Sequence, residues 1–242
     1  MAAADGVARD LRVSSLPRDE VLRYMGVRDG ALPDDLAARV DAGMRRCLEV
    51  ARPRGVTRAF RVAGTGVDEA TGLPVVTLEG CALRLVGNDV AAHLAGAREV
   101  GLLAVTLGIG VERELRALSH TDQLGELVMD AAGTTVVERA ADAAEADLVA
   151  YAASRGLYTN FRYSPGYGDL PLDCQPTLLA ALDAQRRLGL TLTRTDLLVP
   201  TKSVTALVGM FETRQPSTHR GCGSCACREF CTVRRTGRTC HA

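Results

Sequence analysis

The stretch that decides the fold reads Asn160-Phe161-Arg162-Tyr163-Ser164-Pro165-Gly166-Tyr167-Gly168-Asp169-Leu170-Pro171-Leu172-Asp173. Turn-forming residues dominate this Pro-Gly loop, which also holds three aromatic side chains, out of four Phe and five Tyr in the chain. Pro165 followed by Gly166 predicts a tight turn in which the glycine takes a positive φ. Neither Gly166 nor Gly168 has a side chain that would keep another molecule from the backbone. We therefore predict either a structural turn, in which Arg162 pairs with a nearby acid such as Asp169 and the tyrosines are core, or a loop that contacts a ligand.

Regular structure is predicted directly after this loop. Asp173 is a suitable N-cap for a helix over residues 173–188, and Gly189 is a suitable residue to end it. Residues 190–199 and 203–210 are rich in Leu, Thr and Val, which predicts two strands joined through a short Pro-containing turn. The order is loop, helix, strand, strand.

A long helix is predicted before the loop, over residues 122–154, because this stretch is Ala-rich and ends ahead of Gly156. Glu138, Asp142 and Glu145 are spaced at i, i+4 and i+7, so the three carboxylates share one side of that helix. This acidic stripe is either a solvated face or a face turned toward a cationic ligand.

The N-terminal part of the chain has a mixed pattern. The first sixty residues favour helix, with one helix starting near Pro17 and an amphipathic helix over residues 34–51. Short strands are predicted at 60–62 and 74–78, and residues 101–107 could add another. The chain is therefore expected to have an α+β fold in which helices flank an antiparallel or mixed β-sheet. We expect three parts: a helical segment (1–62), a core (63–211) and a Cys-rich basic tail (212–242).

Composition argues against several classes of function. Twenty-nine Lys and Arg balance twenty-nine Asp and Glu, so the chain lacks the overall positive field that non-specific nucleic-acid binding needs. The longest apolar run, residues 101–111, is well short of the roughly 20 residues that span a bilayer. The first residues have no apolar core of signal-peptide length. We expect a cytoplasmic protein without nucleic-acid or membrane partners.

Two elements in fixed order carry a family resemblance. Arg162 stands two residues ahead of Ser164-Pro165-Gly166-Tyr167, and the second element is Pro200-Thr201-Lys202-Ser203-Val204-Thr205. In both elements the chain resembles the activation domain of cobalamin-dependent methionine synthase. Because Gly168, Asp169 and Pro171 follow the first element, the chain is also similar to free-standing proteins that resemble this activation domain. The family usually has a Tyr after the second element, where this chain has Ala206-Leu207-Val208.

The resemblance implies a site for S-adenosylmethionine along the Pro-Gly loop. Arg162 would bind the ligand carboxylate through two parallel charge-assisted hydrogen bonds, Tyr167 would cover the ligand, and Glu138 would lie near the positively charged sulfonium. The residues implied for this site are Arg162, Tyr163, Ser164, Pro165, Gly166, Tyr167, Gly168, Ser203, Val204 and Glu138.

The resemblance also implies a function and partners. In the family, S-adenosylmethionine and an external electron remethylate cob(II)alamin that has become inactive. This chain lacks an Asp-x-His-x-x-Gly motif for holding cobalamin. The cobalamin would therefore be held by a partner, a methionine synthase subunit or another corrinoid protein, and a flavodoxin-type donor would supply the electron. The chain would be catalytic only together with its partner.

The Cys-rich tail has a motif of its own, which is separate from the family resemblance. Its cysteines are spaced closely enough for several thiolates to reach one metal ion or cluster, at Cys222, Cys225, Cys227 and Cys231. Zinc and an iron–sulfur cluster both suit such ligands, and redox-active thiols are a third interpretation. An alternative function follows: an activator or electron-transfer protein for other corrinoid methyltransferases, built on an iron–sulfur or zinc tail. A plainer alternative is an adaptor with a structural loop and a zinc tail.

Overall fold

The computed structural model describes residues 6–27 and 32–215. The strands of this part of the chain are β1 (Arg9–Asp10), β2 (Arg54–Val67), β3 (Pro74–Leu78), β4 (Cys81–Val86), β5 (Glu99–Thr106), β6 (Tyr158–Thr159), β7 (Thr191–Leu192), β8 (Leu198–Val199) and β9 (Ser203–Phe211). The helices are α1 (Arg18–Tyr24), α2 (Asp34–Val50), α3 (Asn88–His93), α4 (Ile109–Thr121), α5 (Gln123–Ser154), α6 (Gln175–Leu182) and α7 (Ala184–Leu188), with a 3₁₀ turn at Leu172–Cys174.

The fold is α+β, with one seven-stranded antiparallel sheet between helices. The strand order is β4-β3-β2-β5-β9-β6, and β1 pairs with the start of β2. Strands β7 and β8 form a separate two-stranded hairpin. The prediction of an α+β fold is confirmed, and every pairing in the sheet is antiparallel.

Strand β5 occupies the centre of the sheet and is buried over its whole length. Helices cover both of its faces. Leu103 and Val105 face a core that includes Ala140 and Leu148 of α5, whereas Leu102 faces a second core under α3, α6 and α7. Burial on both faces explains why the sequence of β5 is apolar without alternation, and each buried Leu contributes on the order of 1.5–3 kcal/mol.

Helix α5 lies across the middle of the sheet and contacts β2, β5 and β9. Asp122 begins it by accepting a hydrogen bond from the backbone N–H of Gly125 at 3.0 Å. The helix passes Gly133 without a break, and Gly156 follows its end with a φ of +72°. A Cβ on Gly101 of β5 would lie 2.8 Å from the Leu148 side chain, so this glycine allows the helix to lie close to the sheet. The predicted long helix is confirmed.

Three of the sequence-based expectations for individual elements are wrong. Strand β2 already begins at Arg54, within the stretch expected to be helical, because Val56 and Phe60 alternate onto one buried face. The helix expected over 173–188 is divided at Asp183, which adopts a left-handed φ of +51°. Residues 190–199 form the β7–β8 hairpin instead of one strand, since the chain reverses between the two short strands.

In the described residues, none of the helices combines the length and the apolar character needed to cross a bilayer.

Candidate functional site

Arg162 reaches across to helix α5 and contacts all three members of the acidic stripe. Its Nη2 atom lies 3.4 Å from Glu138 Oε2 and 2.9 Å from Asp142 Oδ1, and its Nη1 atom lies 3.2 Å from Glu145 Oε2. The guanidinium side chain is 20% exposed. The stripe is therefore turned toward a cation, and in this structure the cation belongs to the chain itself.

Strand pairing explains the direction of the Arg162 side chain. Tyr158 and Thr159 of β6 pair with the end of β9, and Tyr163 rejoins β9 through a bridge to Leu207. Successive residues of an extended segment point to opposite faces. Tyr163 is buried in the core under α3 and α6, so Arg162 points to the α5 side of the sheet.

The cluster carries excess negative charge. Three carboxylates surround one guanidinium, which leaves two negative charges when all groups are ionised. Burial raises the pKa of Glu138 above its ordinary value, while the neighbouring Arg162 acts in the opposite direction. Repulsion from Asp142 and Glu20 raises this pKa further. A bound cation would relieve that repulsion.

Arg162 also has unused hydrogen-bonding capacity. Its Nη1 atom is buried and has no hydrogen-bond partner among the described residues. The Glu145 carboxylate is within ion-pair distance of that atom, at 3.2 Å, but is not aligned to accept a hydrogen bond. Because a buried donor without an aligned acceptor costs free energy, a better aligned acceptor oxygen at this atom would be favourable.

The Pro-Gly loop forms the turn that the sequence predicts. Gly166 and Gly168 have φ values of +89° and +53°. The backbone N–H of Gly166 donates to the carbonyl of Leu170 at 2.8 Å, and the hydroxyl of Tyr163 donates to the carbonyl of Tyr167 at 3.1 Å. Tyr167 is 61% exposed, so its side chain is accessible to a ligand. Pro165 is buried and Ser164 is half-buried.

Ser203 and Val204 stand at the start of β9. The Ser203 hydroxyl donates to the carbonyl of Pro200 at 2.7 Å and lies 2.9 Å from Thr106 Oγ1. Val204 pairs with Val105 and packs against the α5 side of the core. These two residues therefore fix the second sequence element to the central strand β5.

Sequence reasoning missed Lys202 and, within the stripe, singled out only Glu138 as a binding residue. The Lys202 ammonium lies 2.7 Å from Asp130 Oδ1 and 2.8 Å from Thr134 Oγ1. Asp130 and Thr134 extend the series of Glu138 and Asp142 at intervals of four residues along α5. That regular spacing is a signal that could have identified the longer polar face.

The predicted metal ligands Cys222, Cys225, Cys227 and Cys231 lie outside the described residues. Within residues 6–27 and 32–215, no group of three or more His, Cys, Asp or Glu side chains is arranged to hold a metal ion.

Comparison with known proteins gives a likeness among solved structures. No family model matches the chain, and no curated protein matches it in sequence. Among solved structures, the crystal structure of the MetH reactivation domain bound to AdoHcy resembles it with a TM-score of 0.54 at 15% sequence identity. The match covers 96% of this chain and 86% of that chain. At this identity the likeness shows a shared fold.

Proposed function

We propose that this chain binds S-adenosylmethionine beside Arg162 and the acidic stripe, and supports reductive methylation of cob(II)alamin held by a partner. The observation that carries the proposal is the charge arrangement: one guanidinium among three carboxylates, with distances of 2.9–3.4 Å. The amino-acid end of S-adenosylmethionine has the complementary arrangement, with a sulfonium and an ammonium cation beside one carboxylate.

Each part of the ligand has a suitable partner among these residues. The ligand carboxylate suits Arg162, whose buried Nη1 atom forms an ion pair with Glu145 but, among the described residues, no aligned hydrogen bond. The two ligand cations suit the acidic stripe, where Glu138 and Asp142 are 40% and 58% exposed and so accessible. The open backbone at Gly166 and Gly168 suits the polar edges of the ligand.

The solved structure with the same fold supports this choice of ligand, because it is described as bound to AdoHcy, the demethylated form of S-adenosylmethionine. The Pro-Gly loop and the element beginning at Pro200 are the parts of the sequence that resemble that family. Two separate observations, fold and motif, therefore favour the same ligand class.

The chain's own contribution to the reaction would be binding, orientation and electrostatics. Cob(II)alamin accepts one electron from an external donor and a methyl group from S-adenosylmethionine, which leaves S-adenosylhomocysteine and methylcobalamin. The cobalamin would come with a methionine synthase subunit or another corrinoid protein, and a flavodoxin-type protein would supply the electron.

Calorimetric titration of S-adenosylmethionine into the anaerobically purified full chain tests the proposal. We expect wild type to bind and Arg162→Ala to lose about 10- to 100-fold in affinity, the equivalent of a charge-assisted hydrogen bond of about 1.5–3 kcal/mol. Arg98→Ala is the matched control, since Arg98 forms an ion pair with Glu212 in which both side chains are 64% exposed. Equal affinity in wild type and a folded Arg162→Ala variant would overturn the proposal.

A further inference from the structure

Helix α3 is connected to the Pro-Gly loop at both of its ends. At its start, the Asp169 carboxylate accepts hydrogen bonds from the backbone N–H groups of Asn88 and Asp89, the latter at 3.0 Å. At its end, the Asn160 side-chain amide donates to the carbonyl of His93 at 2.8 Å. A short helix that is distant in sequence therefore fixes both ends of the loop that carries Arg162.

The His93 ring contacts the residues on both sides of Arg162. Its Nε2 atom donates to the backbone carbonyl of Phe161 at 3.1 Å, because that carbonyl can only accept. The ring centroid lies 4.6 Å from the Phe161 ring in an edge-on arrangement and 4.9 Å from the Tyr163 ring. One half-buried imidazole thus restrains the backbone and both neighbouring side chains.

The segment around Arg162 is also attached to strand β9 of the sheet. The Asn160 side chain also accepts a hydrogen bond from the backbone N–H of Gly209 at 2.8 Å, and Tyr163 is bridged to Leu207. With residues 160, 161 and 163 held in this way, the alternation of the chain leaves the Arg162 side chain directed at α5. A binding group that is already oriented loses less conformational freedom when the ligand arrives.

We infer that His93 is a positioning residue for Arg162, acting through the hydrogen bond to Phe161 and through ring contacts on both sides. The inference rests on the proposed function, since the orientation of Arg162 matters for binding of S-adenosylmethionine. His93 itself would not touch the ligand.

Two substitutions separate the hydrogen bond from the ring contacts. His93→Phe keeps an aromatic ring but removes the Nε2 donor, and we expect it to weaken binding of S-adenosylmethionine roughly 3- to 10-fold, as loss of one hydrogen bond predicts. His93→Gln keeps an N–H donor of similar reach and should recover part of that loss. His120→Phe is the control, because His120 also lies in the last turn of a helix but is exposed.

A double-mutant cycle distinguishes positioning from a general structural role. If His93 acts through Arg162, His93→Phe should cause no further loss of affinity in a chain that already carries Arg162→Ala. Equal loss in both backgrounds, or unchanged affinity of the His93→Phe single variant, would overturn the inference.

A ligand-free measurement keeps the two proposals distinguishable. In NMR spectra of the ¹⁵N-labelled full chain, Arg162 held by three carboxylates should give separate Nη signals, identified by their absence in Arg162→Lys. We expect these signals to merge in His93→Phe and to persist in His93→Gln. If wild type failed to bind S-adenosylmethionine, the proposed function would fail, and the inferred role of His93 in orienting Arg162 would be judged on these spectra alone. Unchanged Arg162 signals in His93→Phe would overturn it.

Discussion

The carboxylate of Asp142 lies 2.9 Å from Nη2 of Arg162, although Asp142 belongs to the middle of a helix and Arg162 to the edge of the sheet. Asp142 is 58% exposed, whereas Arg162 is 20% exposed. The guanidinium is thus largely covered while the carboxylate remains open to solvent. A ligand cation can approach Asp142 without displacing Arg162 from the rest of the stripe.

Asp142→Asn should reduce the preference for S-adenosylmethionine over S-adenosylhomocysteine. S-adenosylmethionine carries a methyl group and a positive charge on sulfur that S-adenosylhomocysteine lacks, so removing one negative charge penalises the charged ligand more. Because Asp142 is exposed, the expected change is modest, about 0.2–1 kcal/mol. Calorimetric titration of both ligands gives the ratio of dissociation constants, with Asp41→Asn, another partly exposed ion-paired residue, as control. An unchanged ratio would count against a sulfonium near the stripe.

Arg162→Lys should leave the chain folded but bind S-adenosylmethionine at least 10-fold more weakly than wild type. Lysine keeps the positive charge among the carboxylates, yet it lacks the planar pair of donors that binds a carboxylate through two parallel bonds. Thermal unfolding checks the fold, and calorimetry checks the affinity. Full affinity in Arg162→Lys would mean that charge alone, and not the guanidinium geometry, binds the ligand.

The pKa of Glu138 predicts a pH dependence of stability. Burial raises this pKa above its ordinary value of 4.5, so the folded state binds the proton more tightly than the unfolded state. This group's contribution to the free energy of unfolding should therefore fall as pH rises above 4.5 and level off beyond the folded pKa. Urea unfolding of wild type and Glu138→Gln at several pH values measures this contribution. The difference between their free energies of unfolding should change between pH 4.5 and the pKa of Glu138 in the folded state. Parallel curves would contradict the prediction.

Gly87→Ala should destabilise the chain and loosen α3 from the Pro-Gly loop. Gly87 has a φ of +146°, and a Cβ there would lie 2.4 Å from Asp169 Oδ1, the carboxylate that caps α3. Backbone strain of this kind costs on the order of 1–3 kcal/mol. Gly66→Ala is the matched control, because a Cβ at Gly66 would have no atom of the described residues outside its chain neighbours within 4 Å. Urea unfolding of both variants should show a loss confined to Gly87→Ala.

Local sequence patterns were sufficient to predict helix α5 and the turn at Gly166. The N-cap of α5 at Asp122, the end of this helix before Gly156 and the shared side of its three carboxylates all follow from the helical period and the end signals. The positive φ of Gly166 likewise follows from the Pro-Gly pair. Strand β2 was not recognised at Arg54, because its neighbours in the sheet, and not its own propensity, decide its conformation.

The sequence by itself determined the helical period that groups Glu138, Asp142 and Glu145, the turn at Gly166, and the motifs that indicate a ligand. Only the tertiary structure decided that Arg162 meets those carboxylates and that His93 holds the segment around it. Arg162 is 24 residues from Glu138, and His93 is 68 residues from Phe161. The physical reason is that such contacts depend on strand register and helix placement, which arise when the whole core packs, whereas periods and turns depend on neighbouring residues alone.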